Sequence, residues 1–221
     1  MSLGGGLLRQ TNEWGNMNWL DHVVRIVPDF AATERRFRDK YSLEAARWEA
    51  FPDSGVASRL FGVGSAGIEL MGVRDAAEAA AHPFGRLVLD AIGQGERWLG
   101  IAIGTDELDA HAARLGLRPV TVPSVSSTGM RSTFRLLGDP LSNAPPLPFF
   151  IEWARGTDPW PREQAALNPG FTGVKRVEAA GDARAVAEHL GGGFDFISVV
   201  EGVPGIQAVV LDAEGGEIRI E

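Results

Sequence analysis

Two hydrophobic periods alternate along the chain. From Trp19 to Val27 an apolar, β-branched run reads as a strand. Asp29 then stands where a helix N-cap belongs, and Phe30, Thr33 and Phe37 fall at helical spacing behind it. Ala45–Phe51 and Val56–Val63 read as strands around the turn sequence Pro52-Asp53-Ser54-Gly55. Gly64-Ser65-Ala66-Gly67 turns again into a fourth strand, Ile68–Val73. The order is βαβββ.

Two helical stretches follow, Ala76–Ala81 and Pro83–Ile92, and after Gly93-Gln94-Gly95 the order restarts. Trp98–Ile103 is a strand, and Asp106 opens the helix Glu107–Leu115, which Gly116 ends. Leu117–Val122, Met130–Leu137 and Phe149–Trp153 complete a second βαβββ unit. Asn143–Pro148 is a proline-rich loop. A third, shorter copy runs through the strand Thr172–Ala179, the Asp182-capped helix Ala183–Leu190, and the strands Phe196–Glu201, Ile206–Asp212 and Glu217–Ile220. Self-similarity of this kind points to a repeated supersecondary unit.

The expected fold is therefore α+β: repeated βαβββ units forming a curved half-barrel sheet, with helices on its outer face. Its divisions are a flexible tail over 1–17, a two-unit domain over 18–154 (units 18–74 and 96–154, helical insertion 75–95), a crossing loop over 155–170, and a third unit over 171–221.

The bulk numbers narrow the function. The 221 residues carry a net charge of −8, which disfavours nucleic acid, because neutralising phosphates needs a basic face. There is no cysteine, which removes disulfides, zinc fingers, iron–sulfur clusters and thiol nucleophiles. No apolar stretch approaches the roughly 18 residues of a membrane span. The N-terminus lacks the basic-then-apolar profile of a signal peptide. A cytoplasmic protein is the expectation.

The chemistry is concentrated in three places. His22 sits inside the first apolar strand, and Glu69 and Glu152 each stand in the middle of an apolar run, Gly67–Met71 and Phe149–Trp153. Burying an unpaired carboxylate is costly. One histidine and two such glutamates therefore suggest a shared site, most simply a divalent metal. Bland readings stand beside this one. His22 could be a hydrogen-bonded core histidine, Glu69 an edge-strand surface residue, and Glu152 an ion-pair partner of Arg155 or Arg131. His82 precedes Pro83 at a helix start. His111 and His189 lie on helices among charged residues, where exposure is expected. Gly62–Gly67 fits G-x-G-x-x-G but is followed by a strand rather than a helix, so it is not a dinucleotide site.

Paired βαβββ units with Trp19-Leu20-Asp21-His22-Val23-Val24, Ile68-Glu69-Leu70 and Phe149-Phe150-Ile151-Glu152-Trp153 resemble the vicinal oxygen chelate superfamily, and its glyoxalase-like branch most closely. In that superfamily two units enclose one divalent ion, each giving a ligand from its first and last strands. The resemblance implies His22 and Glu69 as the first unit's ligands and Glu152 as the second unit's. The first strand of the second unit offers only Leu99 or Ile101 opposite His22, so a loop residue such as Asn168 would have to complete the set. In the third unit Lys175 and Arg219 fall at the His22 and Glu69 stages, which rules out a like site there.

One imidazole and two carboxylates suit Zn, Ni, Fe or Mn. Such a centre would serve a lyase, isomerase or dioxygenase acting on a small oxygenated molecule, with Glu152 as the base that moves a carbon-bound proton. Arg59 and Arg131, if they face the concavity, would pair with an anionic substrate. Trp153 would line the pocket. The alternative is a metal-free small-molecule binding or resistance protein on the same fold, and a third reading is a structural dimerisation module. A homodimer would be in keeping with the fold, because half-barrels leave edges that pairing can cover.

Overall fold

A computed structural model describes residues 9–11, 17–126, 128–141, 147–154, 165–192 and 194–221. The strand β1 (Arg9–Thr11) pairs with β2 (Met17–Ile26), so part of the expected tail is ordered against the sheet. Helix α1 (Phe30–Tyr41) follows, its first turn capped by Asp29, which accepts from the Ala32 amide at 3.0 Å. The strands β3 (Arg47–Phe51), β4 (Val56–Val63) and β5 (Ala66–Val73) complete the first unit. The inserted helices are α2 (Ala76–Ala81) and α3 (Pro83–Gly93). The second unit runs β6 (Arg97–Thr105), α4 (Leu108–Leu115), β7 (Val120–Ser126), β8 (Arg131–Leu137) and β9 (Phe149–Trp153).

Within each unit the first strand pairs in parallel with the last, β2 with β5 and β6 with β9. The units then meet twice. β2 pairs antiparallel with β6 over most of its length, and β3 touches β7 at Glu49–Ser126 and Ala50–Val125. The expected half-barrel is therefore closed on itself: β2-β5-β4-β3-β7-β8-β9-β6 returns to β2, with β1 as a flap. Closure pairs the edge strands of both units inside one chain, which is how barrels remove exposed edges. The edge argument for a homodimer thus loses its basis in the barrel.

Burial explains why β2, β4, β5 and β6 read as nearly continuous apolar runs: both of their faces are covered. Outward residues such as Val23, Ile68, Leu70, Ile101 and Ile103 pack against Phe37 and Tyr41 of α1 and Leu108 of α4. Inward residues such as Val24, Met71, Leu99 and Ile151 form a second cluster with Val88 and Ala91 of α3. The insertion thus fills part of the barrel interior from one end.

The third segment comprises β10 (Phe171–Ala180), α5 (Ala183–Leu190), β11 (Ile197–Val200), β12 (Gly205–Ala213) and β13 (Gly216–Ile220). It keeps the βαβββ order but not the pairing. Its sheet runs β11-β10-β12-β13, so its last strand lies beside the third and not beside the first. Lys175 and Arg219 are accordingly two strands apart; Lys175 pairs with Glu217 at 3.0 Å and Arg219 with Glu178 at 2.9 Å. This sheet adds Val174, Val177, Val209 and Leu211 to the core on the outer face of the barrel.

The expected exposure of His111 and His189 is not what the structure has. His111 is 2% exposed, stacks on Phe150 at 4.1 Å, and its Nε2 lies 3.2 Å from Asn18 Oδ1. His189 Nε2 meets the Pro148 carbonyl at 2.7 Å. Helical polarity misleads here because α4 and α5 pack together, Arg114 bonding the carbonyls of Glu188 and His189, with both histidine rings against Phe150 of β9. No helix among the described residues is long and apolar enough to cross a membrane.

Candidate functional site

A chamber of about 490 Å³ opens inside the barrel, within the roughly 300–1,000 Å³ range of small-molecule sites. His22 and Glu69 line it together with Glu49, Met71, Phe149 and Trp153. Parallel pairing puts His22 opposite Gly67 and Val24 opposite Glu69, so the two functional side chains sit on neighbouring strands and one face. Their closest atoms, His22 Nε2 and Glu69 Oε2, are 3.2 Å apart. Glu69 is 7% exposed and lies on an interior strand, which settles its edge-strand reading.

The residue that sequence reading passed over is Asp21. Neighbouring side chains on a strand point to opposite faces, yet Asp21 Oδ1 meets His22 Nδ1 at 2.7 Å. The reason is an irregularity in the β2–β6 ladder, whose register skips from Leu20 to His22. A bulge of this kind leaves an extra residue unpaired and re-aims its side chain. Asp21 Oδ2 then accepts the Trp153 indole N–H at 3.0 Å. The result is a chain of contacts, Trp153–Asp21–His22–Glu69, across three strands. Burial alone would lower the His22 pKa, but its hydrogen bonds to Asp21 and then to Glu69, with their charges, outweigh this and push it up to about 10. The carboxylates beside both ring nitrogens thus favour the protonated imidazole.

Glu152 does not join this group. β9 turns Phe149, Ile151 and Trp153 inward, so Glu152 faces out. There its Oε2 pairs with Arg135 at 2.7 Å, Arg135 also holds Asp109 of α4, and Oε1 lies 3.5 Å from the Leu108 amide. The first turn of α4 has no side-chain cap of its own, so a carboxylate beside it is favoured by the helix dipole. Replacing Glu152 by glutamine is expected to cost under about 1 kcal/mol in a denaturation midpoint, as for half-exposed ion pairs, with ligand affinity in the chamber unchanged.

The other expected contacts divide the same way. Trp153 lines the chamber. Arg59 faces out and pairs with Glu34 of α1. Arg131 is exposed at the start of β8. Asn168 is buried but pinned: its Oδ1 accepts from the Glu44 amide at 2.8 Å, and its Nδ2 donates to the carbonyls of Glu44 at 3.0 Å and Gly62 at 2.9 Å. It ties the approach to β10 onto the barrel and does not line the chamber. His82 caps α3 as expected, its Nδ1 accepting from the Phe84 amide at 3.2 Å, and it also borders the chamber.

The donor set does not fit the metal centre that the resemblance implied. Catalytic zinc sites take three protein ligands and a water. Here His22 and Glu69 come from the first unit, and the second unit's facing residues on β6 and β9 are apolar, Leu99, Ala102, Phe149 and Ile151. Among the described residues no group of three or more His, Asp or Glu side chains is arranged to hold an ion.

Residues 20–192 match the family described as glyoxalase-like domain. Among solved structures, a hypothetical protein from Staphylococcus aureus shares the fold over 91% of this chain and 85% of its own, at 15% identity and a TM-score of 0.58. Methylmalonyl-CoA epimerase from Mycobacterium tuberculosis covers 61% of this chain and 87% of its own, at 23% identity and a TM-score of 0.44. The Streptomyces coelicolor epimerase in complex with 2-nitronate-propionyl-CoA covers 62% and 94%, at 21% identity and a TM-score of 0.46. No curated protein matches significantly. The likeness to the Staphylococcus aureus protein speaks to fold alone. With two βαβββ units closed around one chamber and a family match across most of its length, the chain belongs to the glyoxalase-like domain family of the vicinal oxygen chelate superfamily.

Proposed function

We propose that this protein binds a small organic molecule in the barrel chamber, and that it does so without a metal ion. The observation that carries this reading is the state of His22. Both of its ring nitrogens face carboxylates, Asp21 at 2.7 Å and Glu69 at 3.2 Å. Asp21 takes Nδ1, so His22 Nε2 and Glu69 are the donors that β2 and β5 bring together in the chamber, one short of the three protein ligands of a catalytic zinc site. A lyase, isomerase or dioxygenase working through Zn, Ni, Fe or Mn would need ligands from the second unit, where Glu152 serves α4 and Arg135. What remains is a small-molecule chamber with an aromatic wall and one compact polar end, the usual composition of a binding pocket.

The test is a pair of titrations on the full chain. Calorimetry with Zn, Ni, Mn and Fe(II) is expected to show no stoichiometric binding at micromolar protein. The neutral dye Nile red is expected to bind once, and Ile151→Trp, which fills the chamber, to abolish that binding. Stoichiometric metal that disappears in Glu69→Ala would overturn the metal-free reading. Dye binding that survives Ile151→Trp would overturn the choice of chamber.

A further inference from the structure

We propose that the ligand of this chamber is a neutral phenol: a flat, largely apolar molecule whose one hydroxyl donates its hydrogen to Glu69 Oε1. The inference rests on the small-molecule-binding reading above and names its ligand class.

The hydroxyl answers to one atom. Glu69 lines the chamber from β5 and is 7% exposed. Its Oε2 lies 3.2 Å from His22 Nε2, while among the described residues Oε1 has no hydrogen-bond or ion-pair partner. An ionised carboxylate only accepts, and a buried acceptor left without a donor is costly. Oε2 already has the His22 imidazole beside it, so what Oε1 lacks is a hydrogen rather than a second positive charge. Hydroxyl–carboxylate bonds are short and roughly twice as strong as those between neutral groups.

The surroundings of Oε1 ask for a single polar atom on the ligand. The register partners of Glu69 are Val24 on β2 and Leu60 on β4, and Met71 follows it on the same face of β5. All three line the chamber. Two further polar side chains of the lining are already engaged. Ser54 Oγ donates to the Phe51 carbonyl at 2.6 Å and accepts from the Val56 amide at 3.2 Å, and His82 Nδ1 accepts from the Phe84 amide. A head with several polar atoms, such as an amide, would press some of them against Val24, Leu60 and Met71, and burying polar groups without partners costs free energy. A hydroxyl brings one.

The wall suits a flat aromatic body. Phe51 and Phe84 meet edge to face at 5.4 Å, Phe134 and Trp153 pack at 5.2 Å, and all four rings line the chamber. Aromatic rings attract further rings, edge-on or offset, beyond the gain from buried area. At the mouth, Leu87 and Val120 are 53% and 59% exposed, and both line the chamber. A short alkyl tail on the ring would cover them.

The experiment titrates 4-butylphenol and its methyl ether, 4-butylanisole, against Nile red bound to the full chain at pH 7, where the phenol is neutral. The ether oxygen accepts but cannot donate. The phenol is expected to bind about tenfold or more tighter than the ether. In Glu69→Met that ratio should fall to within about threefold, while the ether's own affinity, a control for an intact chamber, changes less than about threefold. Glu69→Gln is closer in shape to the native side chain and keeps an acceptor without the charge; it should lower the ratio by at least about threefold, and it decides the matter if Glu69→Met does not fold. Equal affinities in the wild type, dye displaced by neither probe, or a ratio unchanged in the variants overturns the hydroxyl assignment and leaves the binding chamber standing. If the dye itself does not bind, the binding reading falls as well.

Discussion

Raising the pH from 6.5 towards 10 should strip the fold of as much as about 5 kcal/mol, through the single proton on His22. At about 1.4 kcal/mol for each tenfold change in proton affinity, the rise from 6.5 to about 10 sets that ceiling. The sign follows from the direction. The folded state holds this proton more tightly than the unfolded chain, so its contribution is complete below pH 6.5 and is lost as the pH climbs through the folded value. Deprotonation leaves Asp21 and Glu69 buried around a neutral ring, the broken-pair situation that costs most. Asp21→Asn keeps the Trp153 indole partnered but removes one of the two charges. It should cost about 3–5 kcal/mol at pH 7 and lower the melting temperature by on the order of 10 °C for a chain of this size. It should also flatten the alkaline limb of a stability–pH profile measured by urea denaturation. An alkaline limb with equal slope in wild type and variant would show that His22 does not carry it.

On the acid side His111 acts in the opposite sense. Burial first, then the charges of Arg114 and His189, push its pKa down to about 4. The unfolded chain therefore takes up a proton that the folded chain refuses between pH 6.5 and about 4, and stability falls with pH across that window. The two histidines together place the maximum near 6.5.

The pattern of elements was legible because it rests on local chemistry. Helices α2 and α5 and strands β4 and β9 have the expected bounds; the Asp182 cap marks where α5 starts and the Gly64 turn where β4 stops. His22 and Glu69 were legible because a charge inside an apolar run must have a partner. Glu152 satisfied the same rule but on the other face. Ile151-Glu152-Trp153 resembles Ile68-Glu69-Leu70 in composition, yet Glu69 faces inward and Glu152 outward. A strand has period two, so an offset of one residue exchanges the chamber for the surface. Asp21 was hidden for the complementary reason: a bulge suspends that alternation, and nothing in Leu20-Asp21-His22 announces it. The third segment has the right order of elements and the wrong neighbours, because the choice of partner strand is made by packing against the barrel and not by local pattern.

That packing is narrow enough at one point for a methyl group to disturb it. Gly64 sits in the β4–β5 turn at φ +58, and a Cβ there would lie 1.9 Å from the Thr172 carbonyl oxygen and 2.5 Å from its carbon, both on β10. Gly64→Ala therefore carries two penalties. The left-handed backbone costs an alanine roughly 1–2 kcal/mol, and moving β10 away from the turn adds the roughly 1–3 kcal/mol typical of overpacking. The sum, about 2–5 kcal/mol, should appear as a lower melting temperature and as faster amide exchange in 171–221 than in the barrel. Gly116 separates the two contributions. It closes α4 at φ +66, and a Cβ added there would meet nothing within 4 Å, so Gly116→Ala carries the backbone penalty alone. Equal losses in the two variants would mean that the third segment yields freely at this turn. A loss at Gly64 well beyond that at Gly116, with exchange rising first in β10, would mean that this close approach helps to hold the barrel and the segment covering it in register.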